Sequence, residues 1–100
     1  MGWAQHYIAD LKLGKQVSFR PRGNSMKPRI KSGQLCTVDP VDPTELQPGD
    51  VVLCKVRGAE YLHLVKAVRD GQFQIGNAHG HVNGWVGASA IFGRLVSVSD

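Results

Sequence analysis

The sequence has no long apolar segment and little cysteine. Its longest unbroken apolar run, Val51 to Cys54, contains four residues, whereas a helix needs about 20 to cross a bilayer. The two cysteines, Cys36 and Cys54, lie 18 positions apart, which fits neither a disulfide-rich scaffold nor a zinc-binding pair. These absences exclude a transmembrane helix and a disulfide framework, and we expect both cysteines to be buried thiols.

A secretory signal is also missing, because residues 1–7 lack a basic patch followed by an apolar segment. We therefore expect a cytoplasmic protein. The charged fraction is 20% and the hydrophobic fraction 42%, and these values exclude a disordered chain. A sequence of 100 residues is long enough for one hydrophobic core and too short for two, so a single domain is predicted.

Acidic residues are absent from one stretch of the chain and basic residues from another. Residues 20–31 contain five cations and no acid, and residues 39–50 contain four acids and no base, within a formal net charge of +4. The five cations are Arg20, Arg22, Lys27, Arg29 and Lys31. A basic segment attracts anionic partners such as nucleic acid or an acidic protein, but the same pattern is typical of a solvated rim. Charge alone is compatible with nucleic-acid binding without favouring it.

The N-terminal segment, residues 1–14, is predicted to contain a short amphipathic helix. Its larger apolar residues share one helical stripe, and Gly14 follows where a C-cap is needed. The stripe consists of Trp3, Tyr7, Ile8 and Leu11.

Short runs of β-forming residues, separated by turn residues, occupy the remainder of the chain. They predict strands at residues 16–19, 34–38, 51–56, 61–69, 73–75 and 91–98. Gly58 marks the turn of a hairpin, and the glycine-rich residues 76–87 are predicted to form a loop. The expected fold is mainly β, a coiled antiparallel sheet over residues 17–98 with a short N-terminal helix.

Ser25 is the residue with the clearest chemical interest, since it lies in a turn-rich loop between Gly23 and Pro28. A serine in such a loop is often a turn residue that bonds its own backbone. As a nucleophile it would need a nearby base to take its proton. His63 and Lys66 are the candidates, and because they point to opposite faces of a regular strand, only one of them can serve a given site.

Five motifs in order resemble those of the signal peptidase I and LexA-type serine peptidase superfamily, over residues 17–98. They are Gly23-x-Ser25-Met26-x-Pro28, a glycine at Gly33, Pro48-Gly49-Asp50-Val51-Val52, a strand that bears a basic residue, and Phe92-Gly93-Arg94-Leu95-Val96. The resemblance implies a coiled β fold of the LexA and signal peptidase type. It also implies that Ser25 attacks a peptide carbonyl. In bacterial and LexA-type members the base is a lysine, and in endoplasmic-reticulum and archaeal signal peptidases it is a histidine.

The position of the base in the family favours His63. It lies 38 residues after Ser25, close to the family spacing, whereas Lys66 would need three extra residues in the connecting hairpin. A neutral imidazole is an adequate base near pH 7, but a lysine must first have its pKa lowered by burial. Lys66 remains the alternative.

Further site residues follow from the resemblance. The backbone N–H groups of Gly23 and Ser25, aided by the Asn24 side chain, are expected to stabilise the oxyanion, and Met26 belongs to the serine motif. Histidine-type signal peptidases carry acids after the catalytic strand, but the matching stretch, residues 75–85, has none. It has Asn77 and Asn83 instead, and an asparagine can orient an imidazole without stabilising the imidazolium as a carboxylate does. Asn77, with Gly23, Asn24 and Met26, is also expected to contact the oxyanion or the substrate.

His79 and His81 are spaced like a metal-binding pair, but no third ligand of suitable type is evident in the sequence. We expect neither a metal ion nor another cofactor. The sequence thus predicts a small serine endopeptidase whose peptide or protein substrate binds as an added β-strand. The alternative is a catalytically degenerate member of the superfamily that uses the basic residues 20–31 to bind an acidic protein or nucleic acid.

Overall fold

The computed structural model describes residues 2–100. One helix, α1 (Gln5–Lys12), is followed by seven strands. The strands are β1 (Val17–Phe19), β2 (Leu35–Asp39), β3 (Val51–Val56), β4 (Ala59–Arg69), β5 (Gln72–Gly76), β6 (Val82–Gly87) and β7 (Ile91–Ser99). Short 3-10 helices cover Pro43–Glu45 and Ala88–Ala90. Within residues 2–100, no helix is long and apolar enough to cross a membrane.

All seven strands form one antiparallel sheet in the order β1-β2-β7-β3-β4-β5-β6. The last strand, β7, lies between β2 and β3 and so joins the two halves of the chain in one sheet. Register shifts interrupt four of the strand pairs, and each such irregularity bends and twists the sheet locally. The prediction of a mainly β fold with an antiparallel sheet and a short N-terminal helix is confirmed.

Two core clusters lie on opposite faces of the sheet. Alternate residues of β3 divide between them, with Val51 and Leu53 in one cluster and Val52 and Cys54 in the other, as the two-residue period of a strand requires. Helix α1 packs on the first face through Ile8 and Leu11. Both cysteines are buried and free, as predicted, and burial raises the pKa of the Cys54 thiol to about 12.

A tight hairpin sets the register between β3 and β4. Arg57 and Gly58 form its two-residue turn, with φ angles of 52° and 81°, which is the left-handed geometry of a type I′ turn. The resulting register places Val52 opposite His63. The turn therefore fixes where His63 stands in the sheet.

The predicted loop over residues 76–87 is wrong in its second half, where β6 pairs with β5. The sequence of this strand does not predict it, because glycines and an asparagine interrupt the apolar residues. Its side chains are half-buried or exposed and show no strict alternation. Gly84, whose φ is 147°, lies within it opposite Ile75. The omission matters because β6 carries Asn83.

Gly93 is required by close packing and not by its backbone angles. A Cβ atom at this position would lie 2.7 Å from the backbone oxygen of Asp39 and 2.7 Å from a methyl group of Val38. We expect Gly93→Ala to lower the free energy of unfolding by about 2 kcal/mol, since overpacked cores lose about 1–3 kcal/mol. Urea unfolding measures this change.

Gly87→Ala is the matched control. Gly87 has a φ of −85°, and a Cβ there would meet no atom of residues 2–100 within 4 Å, apart from its chain neighbours. Its unfolding midpoint should stay at the wild-type value or rise slightly, because alanine restricts the unfolded chain more than glycine does. Equal losses in the two variants would contradict the steric argument.

Candidate active site

Ser25 lies in the loop between β1 and β2, which two buried side chains anchor to the core. Met26 and Ile30 are 5% and 4% exposed, and the Ile30 N–H donates to the Met26 carbonyl at 3.0 Å. Gly23, at a φ of 115°, turns the chain before the serine, and its N–H donates to Ser32 Oγ at 3.0 Å. Ser25 itself is exposed, so the loop presents its hydroxyl on a fixed backbone.

His63 lies in β4 and is 7% exposed. Tyr61, two residues earlier on the same strand, stacks on the imidazole with a ring-centroid distance of 4.8 Å. The tyrosine ring thereby limits rotation of the imidazole and shields one of its faces from water. The two-residue period of the strand is the sequence signal that places these rings side by side.

A hydrogen-bonded chain runs from Ser25 through His63 to Asn83. The Ser25 Oγ lies 3.2 Å from His63 Nε2, and His63 Nδ1 lies 2.7 Å from Asn83 Oδ1. Because the amide oxygen only accepts, Nδ1 carries the proton and donates it to Asn83. Nε2 is then unprotonated and accepts from the Ser25 hydroxyl, which is the arrangement that a general base needs.

The surroundings of His63 favour its neutral form. Burial lowers the pKa of the imidazole below its ordinary 6.5, the hydrogen bond to Asn83 partly opposes this shift, and the positive charge of a protonated His81 lowers the pKa further. His63 is therefore neutral at pH 7 and able to accept a proton.

This shift predicts how stability depends on pH. Above pH 6.5 the imidazole is neutral in both the folded and unfolded states, so its contribution to stability is fully present. As the pH falls below 6.5, the unfolded state takes up a proton that folded His63 resists, and the free energy of unfolding declines by at most about 1.4 kcal/mol per pH unit. The decline ends at the folded-state pKa.

Urea unfolding at pH 8, 6.5 and 5.5, for the wild type and His63→Gln, isolates this effect. Taking the difference between the two proteins removes groups that titrate in both. We expect the wild type to lose stability relative to His63→Gln as the pH falls from 6.5 to 5.5. A constant difference over that interval would show that His63 titrates alike in the folded and unfolded states.

Backbone N–H groups beside the serine are available to a developing oxyanion. Within residues 2–100, those of Asn24 and Ser25 have no intramolecular acceptor, whereas that of Gly23 is engaged by Ser32. The Asn24 side chain is exposed and forms no hydrogen bond within the same residues. The backbone at Ser25 can therefore donate to an oxygen bound next to Oγ. Gly23 is not a free donor, and its role is to turn the chain before the serine.

Lys66 is not part of this hydrogen-bonded chain. It occupies the point where β4 shifts register against β5, between Val65 and Ala67. Its Cε would lie 2.8 Å from a Cβ built on Gly76, and within residues 2–100 it forms no hydrogen bond to Ser25. Of the two rival bases, the structure brings only His63 to the serine.

Asn77 organises the loop that follows β5. Its Oδ1 accepts from the N–H groups of His79 and His81 at 2.8 and 3.0 Å, and its own N–H donates to the His81 carbonyl at 2.9 Å. The sequence offers both Asn77 and Asn83 to orient the imidazole, and in the structure Asn83 makes that contact. A substrate-binding role for Asn77 stays a prediction.

A cleft of about 460 Å³ opens beside Ser25 and His63. One wall is the segment after β1 and the other is the start of β4. The lining residues are Trp3, Arg20, Pro21, Arg22, Gly23, Ser25, Met26, Ile30, Glu60, Tyr61, Leu62 and His63. Its lining combines apolar side chains with two exposed cations, Arg20 and Arg22, and one buried acid, Glu60, whose carboxylate accepts from the Ala4 N–H at 2.7 Å.

The described residues contain no group of three histidine, cysteine, aspartate or glutamate side chains that could hold a metal ion.

Comparison with models of known protein families finds no match, and none is found among curated proteins. The functional conclusion therefore depends on the geometry of Ser25, His63 and Asn83 and on the cleft beside them.

Proposed function

We propose that this protein is a serine endopeptidase of the signal peptidase and LexA-like type, with Ser25 as nucleophile and His63 as general base. The observation that carries the proposal is the hydrogen-bonded chain of Ser25, His63 and Asn83, at 3.2 and 2.7 Å. A turn serine in a structural role needs no buried, neutral imidazole aligned on its hydroxyl. The five motifs that resemble this superfamily support the same conclusion.

The proposed reaction has two steps. In the first, the Ser25 Oγ bonds to the substrate carbonyl carbon while its proton passes to His63 Nε2. The tetrahedral intermediate collapses as the peptide C–N bond breaks, and the leaving nitrogen takes the proton from Nε2. In the second, water bonds to the acyl carbon while its proton passes to Nε2. The bond between the acyl carbon and Oγ then breaks, Oγ takes the proton from Nε2, and the carboxylic acid is released.

Asn83 has a limited part in this chemistry. Its oxygen holds the proton on Nδ1, but an amide stabilises the imidazolium less than a carboxylate does. We therefore expect a slower enzyme than one with an acidic third member. A slow peptidase suits a substrate that is cut once, in a defined place, and need not be digested.

The substrate is proposed to bind as a β-strand against the start of β4. Within the part of the chain that the structure describes, β5 pairs with β4 from Leu64 onward, so residues 59–63 have a neighbouring strand on one side alone. The hairpin register directs the backbone groups of Glu60 and Leu62 to the open side. The Glu60 carbonyl there accepts from Trp3 Nε1 at 3.1 Å, which leaves Leu62 to pair with a peptide that enters the cleft.

Covalent labelling tests the proposal. The wild type and Ser25→Ala are treated with fluorophosphonate, β-lactam and peptidyl aldehyde probes, and the intact mass of each product is measured. We expect an adduct of one probe mass on the wild type and none on Ser25→Ala. Peptide mapping should place the adduct on Ser25.

Absence of an adduct across these probes would overturn the peptidase proposal. The alternative is a catalytically inactive binding module, and it makes its own prediction through the cations at residues 20–31. Binding of an acidic peptide or an oligonucleotide through these residues would weaken steeply as salt rises, because neutralised anionic groups release counterions. Charge reversal at Arg22, which is exposed at the cleft, would then weaken binding, whereas Ser25→Ala would leave binding unchanged.

A further inference from the structure

The two carbonyl groups that flank the Ser25 amide are both held by the loop of residues 77–81. His79 Nε2 lies 3.0 Å from the Asn24 oxygen, and the Ala78 N–H donates to the Ser25 oxygen at 3.0 Å. A carbonyl oxygen only accepts, so His79 Nε2 must carry a proton and donate it. These are contacts between segments more than fifty positions apart in the chain.

The loop that makes these contacts is itself fixed. Asn77 bonds to the N–H groups of both His79 and His81. At its base, a Cβ on Gly76 would collide with the His81 carbonyl, so the loop packs closely against the end of β5. His79 is therefore presented from a rigid support, although its own side chain is exposed.

The orientation of one peptide group connects His79 to the chemistry. In a trans peptide the C=O and N–H point in opposite directions. With the Asn24 oxygen bound by His79, the N–H of Ser25 must point away from the loop. The cleft is lined by Gly23, Ser25 and Met26 and by no residue of the loop, and the Ser25 N–H has no acceptor within residues 2–100.

Among residues 2–100, one other donor reaches the Asn24 oxygen, and its hydrogen bond is weaker. The Lys27 N–H reaches it across the turn at 3.3 Å, which is beyond the usual distance for such bonds. Without His79, this single long bond would be what holds the Asn24 carbonyl, and the peptide group between Asn24 and Ser25 could turn about ψ of Asn24 and φ of Ser25.

We propose that His79 is a positioning residue that fixes the peptide between Asn24 and Ser25, so that the Ser25 N–H points at the oxyanion. This inference rests on the proposed peptidase function. His79 acts through the backbone and touches neither the substrate nor the hydroxyl. Its effect falls on the transition state, where the charge on the oxygen is greatest, and not on substrate affinity.

The test compares three variants with the wild type. His79→Phe keeps a planar ring and removes the donor. His79→Gln restores an N–H donor on a different side chain. His6→Phe makes the same substitution at an exposed histidine in helix α1 and serves as the control. A peptide ester substrate is used for steady-state kinetics, and crystal structures give the orientation of the peptide between Asn24 and Ser25.

We expect His79→Phe to lower kcat by about 10-fold with little change in KM, since a complete oxyanion donor contributes about 10²–10³ in kcat and this variant displaces one without deleting it. His79→Gln should recover most of the loss, and His6→Phe should match the wild type. The acid limb of the pH profile, which reports His63, should not move in His79→Phe.

The structural readout separates this inference from the proposed function. In His79→Phe, the peptide between Asn24 and Ser25 should be rotated or disordered in the crystal, whether or not the protein hydrolyses any ester. An unchanged, well-ordered peptide in that variant would overturn the inference. A rise in KM at constant kcat would overturn it as well, because it would assign His79 to substrate binding.

Discussion

Replacing His63 with alanine is expected to lower the rate at which Ser25 is acylated by about 10³-fold, the middle of the range that a positioned general base contributes. The same substitution at Lys66 should leave the rate within about 3-fold of the wild type. The physical reason is geometric. His63 Nε2 lies 3.2 Å from Ser25 Oγ, whereas Lys66 sits at a register shift of β4 and outside the cleft.

Stopped-flow measurement of acylation by an activated ester checks this prediction, because it isolates the step in which the base takes the proton. Added imidazole should restore part of the rate in His63→Ala, since the space left by the ring opens onto the cleft. Urea unfolding of both variants verifies that each is folded. A large loss in Lys66→Ala together with a small loss in His63→Ala would assign the base to the lysine.

Replacing Asn83 with leucine is expected to slow acylation by roughly 100-fold, because the residue that holds the proton on Nδ1 is lost. Leucine branches at Cγ as asparagine does and offers no acceptor. The imidazole would then sample the tautomer with its proton on Nε2, which cannot take a proton from Ser25. The substitution also removes the hydrogen bond from His63 to the Asn83 side chain, which raises the pKa of His63. The acid limb of the rate profile should therefore move to lower pH.

Asn83→Asp provides the opposing variant. A carboxylate 2.7 Å from Nδ1, in the place of the present amide oxygen, would stabilise the imidazolium and raise the pKa of His63. We expect the acid limb to move to higher pH and the maximal rate to equal or exceed that of the wild type. Rate profiles from pH 5 to 9 record both shifts, and equal profiles for the two variants would show that Asn83 does not act on His63.

Most of the fold could be predicted from residue patterns. Apolar strands such as β3 and the long β4 have strong period or β-propensity signals, and Gly58 marks their turn. The helix was placed by its apolar stripe, of which Ile8 and Leu11 are buried in the structure. Strand β6 is not predicted, because glycines and an asparagine interrupt its β-forming residues, although it pairs with β5 and its Val86 packs against the core.

The candidate site could be predicted only in part. The motif around Ser25 and the spacing to His63 drew attention to the two reactive residues, yet the choice between His63 and Lys66 depended on strand geometry. In a regular strand, His63 and Lys66 would point to opposite faces of the sheet. The register shift between Val65 and Ala67 interrupts the regular strand at Lys66, so the direction of this side chain does not follow from its position in the sequence. Irregularities of this kind have no reliable sequence signal.

The sequence by itself determined the local features: the short helix, most of the strands, the buried thiols and a serine held in a turn. These follow from side-chain periodicity and turn chemistry, which act over a few residues. Only the tertiary structure decided which asparagine meets His63 and what holds the carbonyls beside Ser25. Asn83 and His79 reach their partners across 20 and 55 positions of chain, and such contacts exist only once the sheet has brought β4, β6 and the serine loop together.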